Sequence, residues 1–265
     1  MIMNAHCAAS AKTASQKHNF SMEITRRNKM AEGFYIDDQA ALYGFLCKSA
    51  EEICGAAGLE AAIEATKLYG KERGLRMAMR AMANGDSLTI RNYLAYGEWA
   101  DHKNWSQINV TSTYPEYRTE VLKCGWHDTW KKYGLEKYGA LYCSYIDYSL
   151  VSGFNPELKL EIDSFLTHGH QSCRFHWVGA DIKNSSDLNA LIKKKSDMSD
   201  NNIKDFLYHT GHLLSAMRRG FLYELGLVAG REITSMAMKE YAAIFGDEKA
   251  MAVFAESGQD FLIIY

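Results

Sequence analysis

Gln107-Ile-Asn-Val-Thr-Ser-Thr-Tyr-Pro-Glu-Tyr-Arg-Thr-Glu-Val-Leu-Lys-Cys124 breaks an otherwise helical pattern. Its first half is rich in β-branched residues, Pro115-Glu116 supplies a turn, and Tyr117 to Cys124 reads as a second strand around Val121 and Leu122. The stretch is therefore a hairpin. Upstream, Asp37-Asp38 marks a helix start, with acidic side chains at the positive end of the dipole. Leu42, Phe45, Leu46, Ile53 and Cys54 then recur at helical spacing until Gly55 to Gly58 interrupt them. A second helix spans about Leu59 to Met82 and stops at Asn84-Gly85, and a short third covers about Leu88 to Tyr96.

Downstream, Trp126 to Val151 returns to helical spacing with an interruption at Gly134, and Gly153-Phe154-Asn155-Pro156 ends it. Leu158 to Leu166 alternates Leu158, Leu160 and Ile162 against Lys159, Glu161 and Asp163, a half-buried strand. Ser172 to Val178 alternates again, with Cys173, Phe175 and Trp177 on one face and Arg174 and His176 on the other. The polar stretch from Gly179 to about Asn202, with Lys193-Lys194-Lys195, reads as a solvated helix face plus linker. Ile203 to Phe254 is helical, with Gly226 and Gly230 separating two helices or allowing close packing between them. The expected fold class is α+β: a four-stranded antiparallel sheet packed with helices, a helical N-terminal segment and a helical C-terminal extension. The expected organisation is a disordered tail over 1–33, a core domain over 34–180, and a helical extension over 181–265 that packs on the core or on a partner subunit.

The chain has 265 residues, 47% of them apolar, and a net charge of −2. No basic face is implied, which argues against nucleic-acid binding. No run of 18 apolar residues occurs, so no membrane span is expected. The first 33 residues lack the apolar core of a secretory signal, and Met22 and Met30 are alternative starts. Six cysteines without paired CxxC knuckles read as reduced thiols of a cytoplasmic protein. Only Pro115 and Pro156 punctuate the chain, which favours long helices.

Cys124, Cys143, Cys173 and Asp147 are the candidate reactive residues. Cys143 and Asp147 lie four residues apart and share one helical face. Asp147 is the only charged residue between Tyr142 and Leu150, so if buried it must be paired or have its pKa raised. Each cysteine taken alone also reads as a small buried hydrophobe. His127 follows Cys124 by three residues at a helix start, where it could pair with a thiolate. His168, His170 and His176 flank Cys173, and His209 and His212 sit three apart, but their spacings fit no standard metal signature. Arg73, Arg76 and Arg80 stand on the second helix and suit a bidentate grip on a carboxylate, or a solvated face pairing with Glu72.

Lys123-Cys124-Gly-Trp126, Gly139-Ala-Leu-Tyr-Cys143-Ser-Tyr-Ile-Asp147, Gly153-Phe-Asn-Pro156 and Gly169-His-Gln-Ser-Cys173-Arg-Phe175 together resemble the L-2-amino-thiazoline-4-carboxylic acid hydrolase family. Tyr69-Gly-Lys-Glu-Arg73-Gly is similar to it as well, so the resemblance covers roughly Leu59 to Trp177. Two positions depart from the family pattern. The run Glu161-Ile162-Asp163 stands where an arginine is frequent, and Arg174 stands where an acidic residue is frequent. The resemblance implies hydrolytic opening of a small cyclic amidine carboxylate to an N-carbamoyl cysteine. Asp147 would serve as general base or amidine partner, one of Cys124, Cys143 and Cys173 as nucleophile with His127 lowering its pKa, and Arg73, Arg76, Phe175 and Trp126 as substrate-binding residues. The alternative is a metal ion held by Cys124, Cys143 and Cys173 that activates water. A different class also fits, a small-molecule- or metal-sensing module similar to 4-vinyl reductase-like domains. The implied partners are a small-molecule substrate and a possible second copy of the chain, with no nucleic acid and no membrane.

Overall fold

The computed structural model of the chain describes residues 27–101 and 103–264, leaving aside the side chain of Asn201. The tail expected over 1–33 falls largely outside the described residues, as does Met22, while residues 27–31 are helical. Tyr35–Tyr265 form one compact unit. Its elements, in chain order, are α1 (Ile36–Cys54), α2 (Ala56–Ala83), α3 (Ile90–Ala95), β1 (Gln107–Ser112), β2 (Tyr117–Lys123), α4 (Gly125–Tyr133), α5 (Glu136–Phe154), β3 (Leu160–Ser164), β4 (Cys173–Trp177), α6 (Ser185–Asp197), α7 (Ser199–Asn202), α8 (Phe206–Phe245) and α9 (Asp247–Glu256).

Local chemistry sets these boundaries. The Tyr35 backbone N–H donates to Asp38 Oδ2 at 2.9 Å and opens α1. Gly134, left-handed at φ 67°, ends α4 and lets α5 begin two residues later. The strand expected over Leu158–Leu166 is shorter because Leu166–His168 form a single 3₁₀ turn closed by the left-handed Gly169. The polar stretch after Gly179 carries α6 and α7, with the Asn184 side chain capping α6.

The four strands are antiparallel in the order β1-β2-β4-β3. Val121 sits opposite Cys173, Thr119 opposite Phe175, and Tyr117 opposite Trp177, so these six side chains share one face. The other face is polar: Arg174 bonds Glu120 at 3.2 Å, and His176 lies between Glu161 and Glu116 at 2.7 and 3.1 Å. The inner face meets α5, the helix that also packs most closely on α2. Gly70 and Gly74 of α2 and Gly153 of α5 form the seam. A Cβ on Gly74 would collide with the Leu150 carbonyl, and one on Gly153 with the Lys71 backbone. The seam brings the α2 side chain of Arg73 to the same space as the α5 side chains of Cys143 and Asp147.

Within α8, Gly226 adopts φ 80°, ψ 174°. A Cβ on Gly230 would stand 3.0 Å from the Leu222 backbone nitrogen, although eight residues of straight helix would separate them by about 12 Å. The chain therefore reverses at Gly226, the first of the two glycines singled out in the sequence. The second arm returns along α1, where Tyr241 Oη donates to the buried Asp38 carboxylate at 2.7 Å. No helix among the described residues is long and apolar enough to cross a membrane.

The seam is open to test by overpacking. Gly74→Ala forces two backbones apart and is expected to cost about 1–3 kcal/mol in urea unfolding, with Gly258→Ala, whose added Cβ would make only an ordinary 3.4 Å contact, as the control for glycine loss. Wild-type stability in Gly74→Ala would show that the two helices do not meet there.

Candidate active site

Between α5 and the inner sheet face lies a cavity of about 150 Å³. Cys124 from the end of β2, Cys143 and Asp147 from α5, and Cys173 from β4 all line it. The cavity is otherwise apolar and aromatic, with Trp99, Trp126, Trp130, Tyr142, Phe165 and Phe175 in its wall. Ile108, on the edge strand β1, also lines it and is 54% exposed, which places an opening at that edge.

Burial dominates the carboxyl and the thiols in this space. Asp147 makes no hydrogen bond among the described residues. Removal from water raises its carboxyl to about 6, and the nearby Arg73 guanidinium offsets only part of that rise. Burial pushes the Cys124 thiol up to about 11, against the backbone N–H groups of His127 and Trp126 at the start of α4, which act in the opposite direction. Cys143 is pushed well above the usual thiol value, again chiefly by burial. Cys173 is raised for the same reason, although the Leu166 N–H donates to its sulfur at 3.2 Å. Each thiol also feels the charge of Asp147, as expected for groups sharing one low-dielectric space.

Arg73 is the cation of the cavity. Its Nε lies 3.5 Å from Glu98 Oε2, and its guanidinium covers the Tyr69 ring at 5.5 Å. Glu98, fully buried, also binds Arg76 through both oxygens at 2.6 and 2.7 Å and Arg80 at 2.7 Å. Three guanidiniums thus surround one carboxylate. His209 and His212 add no charge, because burial lowers them to about 3 and about 4. Arg73 is the member of this cluster whose side chain reaches the cavity.

The structure brings together Arg73, Cys124, Trp126, Cys143, Asp147, Cys173 and Phe175. It does not bring in Arg76 or His127. Arg76 is wholly buried and is held by Glu98, the Phe261 carbonyl and the His212 ring. His127 stands at the first turn of α4, half-exposed, with its imidazole outside the cavity wall, and it acts on Cys124 through its backbone N–H. The solvated-face reading of the arginines does not hold either: Glu72 pairs with Arg219 and His212. Glu98 escaped the sequence reading. Its one signal was an acid set between Gly97 and Trp99, downstream of an arginine stripe with more cations than the single Glu72 on its face could pair. Among the described residues no group of three or more His, Cys, Asp or Glu side chains is placed to hold a metal ion.

The fold is of the α+β class, a helix-backed antiparallel sheet with a small, mostly apolar cavity and a few converging polar groups between α5 and its inner face. The family model of L-2-amino-thiazoline-4-carboxylic acid hydrolase matches residues 35–177, more than half of the chain, and the chain belongs to that family. The match spans every cavity residue named above. No curated protein and no solved structure matches the chain.

The raised Asp147 carboxyl carries a stability signature. The unfolded group loses its proton near 3.8 and the folded one near 6. The cost of the ionised form therefore grows as pH rises from about 4 to about 6 and is complete above that. Asp147→Asn is expected to be more stable than wild type at pH 7 by about 1–3 kcal/mol, a range already reduced for partial solvent access, and to match it near pH 4. Parallel stability curves across this range would contradict the placement.

Proposed function

We propose that the chain hydrolyses a small cyclic amidine carboxylate of the L-2-amino-thiazoline-4-carboxylate type, using Asp147 and Arg73. The observation that carries the reading is that a raised-pKa carboxyl and a single guanidinium line one small, mostly apolar cavity. A cavity of this size suffices for one small ring. Arg73 belongs to a cluster with more guanidinium than carboxylate charge, and it holds the substrate carboxylate. Asp147, ionised above pH 6, faces the amidine and accepts a proton from water.

The water oxygen adds to the ring carbon between nitrogen and sulfur. Asp147 passes that proton to the ring nitrogen as its double bond to the carbon becomes single. The carbon–sulfur bond then breaks as the added hydroxyl becomes the urea carbonyl, Asp147 relays the hydroxyl proton to the departing sulfur, and the product is an N-carbamoyl cysteine. Water is the favoured nucleophile because burial keeps all three thiols protonated near neutral pH. The thiols then shape and dry the cavity around the departing sulfur.

Ring opening can be followed as release of a free thiol. Asp147→Asn is expected to lower kcat by about 10²–10⁴-fold. The wild-type rate should rise with pH through a single ionisation near 6. Arg73→Leu should raise KM for the carboxylate substrate more than 10-fold, and less for its carboxamide analogue. Cys124→Ala, Cys143→Ala and Cys173→Ala should each stay within about 10-fold of wild type, since none supplies the nucleophile. Wild-type turnover in Asp147→Asn would defeat the proposal, and a covalent adduct on one cysteine would replace water with a thiol.

A further inference from the structure

The reversal of α8 at Gly226 projects an apolar tip. Tyr223 is 87% exposed, Val228 79% and Leu227 56%. Side chains this exposed on a hairpin crest contribute nothing to their own core and mark a contact surface. Two grooves flank the tip, and they carry opposite charge. On one side a groove of about 610 Å³ has Leu222, Leu227, Met238 and Phe254 in its floor and Arg218, Arg231 and Lys239 on its rim. No carboxylate lines it, and those three cations form no ion pair among the described residues. On the other side a groove of about 480 Å³ runs between α2 and the tip, with Ile63 and Leu225 in its floor and Glu60, Glu64 and Glu224 on its rim. Its one cation, Lys67, is occupied by Glu64 at 2.7 Å.

We propose that this surface is a two-fold interface between copies of the chain, centred on the Gly226 tip. An isologous interface needs a patch that is complementary to itself after a half-turn. A central apolar crest with a cationic groove on one flank and an acidic groove on the other meets that requirement. The half-turn sets each cationic rim against the partner's acidic rim, twice over, and buries Tyr223 and Val228 of both copies against each other. A partner of uniform charge would satisfy one groove and clash with the other. The interface is independent of the cavity and stands whether or not the hydrolase reading does.

Sedimentation velocity of the full chain from about 1 to 100 µM is expected to show a dimer. Three variants then decide the surface, with far-ultraviolet circular dichroism confirming that each is folded. Tyr223→Ser with Val228→Glu should give a monomer. Reversing the cationic rim (Arg218→Glu, Arg231→Glu, Lys239→Glu) or the acidic rim (Glu60→Lys, Glu64→Lys, Glu224→Lys) should each give a monomer alone, because like charges then face each other. An equimolar mixture of these two charge variants should restore the dimer. A wild-type monomer across the whole range overturns the proposal and leaves the cationic groove to an acidic partner of another kind. So does a dimer that none of the substitutions weakens, or a mixture that remains monomeric.

Discussion

One buried carboxylate organises the molecule. Glu98 has no access to water and is bound by three guanidiniums from α2, while its backbone carbonyl lies 3.2 Å from His209 Nε2 of α8 and accepts the Lys204 N–H. The loop after α3, the second helix and the start of the C-terminal helices therefore meet at a single residue. Burying an isolated ion costs several kcal/mol, and removing one partner of such a pair typically costs about 3–5 kcal/mol. The cluster persists because each lone pair of Glu98 is used and because Arg76 finds two further partners in the Phe261 carbonyl and the His212 ring. The consequence for function is directional. Arg76 and Arg80 are spent inside the cluster, whereas Arg73 meets Glu98 only through its Nε at 3.5 Å, contacts Tyr69, and is the one of the three that also lines the cavity.

The cavity follows the same logic in reverse. Its wall is aromatic and aliphatic, so the carboxyl and the thiols in it are biased toward their neutral forms. For the thiols that bias is decisive at neutral pH, since it adds to a value that is already high. For Asp147 it brings the carboxyl close to the range where it can hold or release a proton near neutral pH. Identical physics thus silences three potential nucleophiles and tunes one potential base. The close α2–α5 seam is what allows this, since only glycine-lined backbones approach near enough to set Arg73 and Asp147 across one small space.

Much of this was legible in the chain. The hairpin from Gln107 and the alternation of Cys173, Phe175 and Trp177 are visible because a sheet with one covered face keeps a period of two. The Cys143–Asp147 spacing gave a shared helical face without further information, and the lack of other charges nearby already required a raised or paired aspartate. The arginine stripe was harder. Arg73, Arg76 and Arg80 have the periodicity of a helix face, but periodicity does not say whether that face meets water or a carboxylate 18 to 25 residues away. The role of His127 was invisible for a related reason: it works through a backbone N–H, which every residue but proline carries. The grooves beside Gly226 draw on α2 and both arms of α8 and have no local sequence mark.

The central claim is that Asp147 is buried in a mostly apolar cavity with Arg73 as the cation that acts on it. The direct measurement is a ¹³C-carboxyl NMR titration of the intact protein, with the resonance assigned by its absence in Asp147→Asn. The account requires a midpoint near 6 that climbs further in Arg73→Leu, because the guanidinium is what holds it down. A midpoint near the ordinary 3.8, unmoved by loss of Arg73, would contradict it.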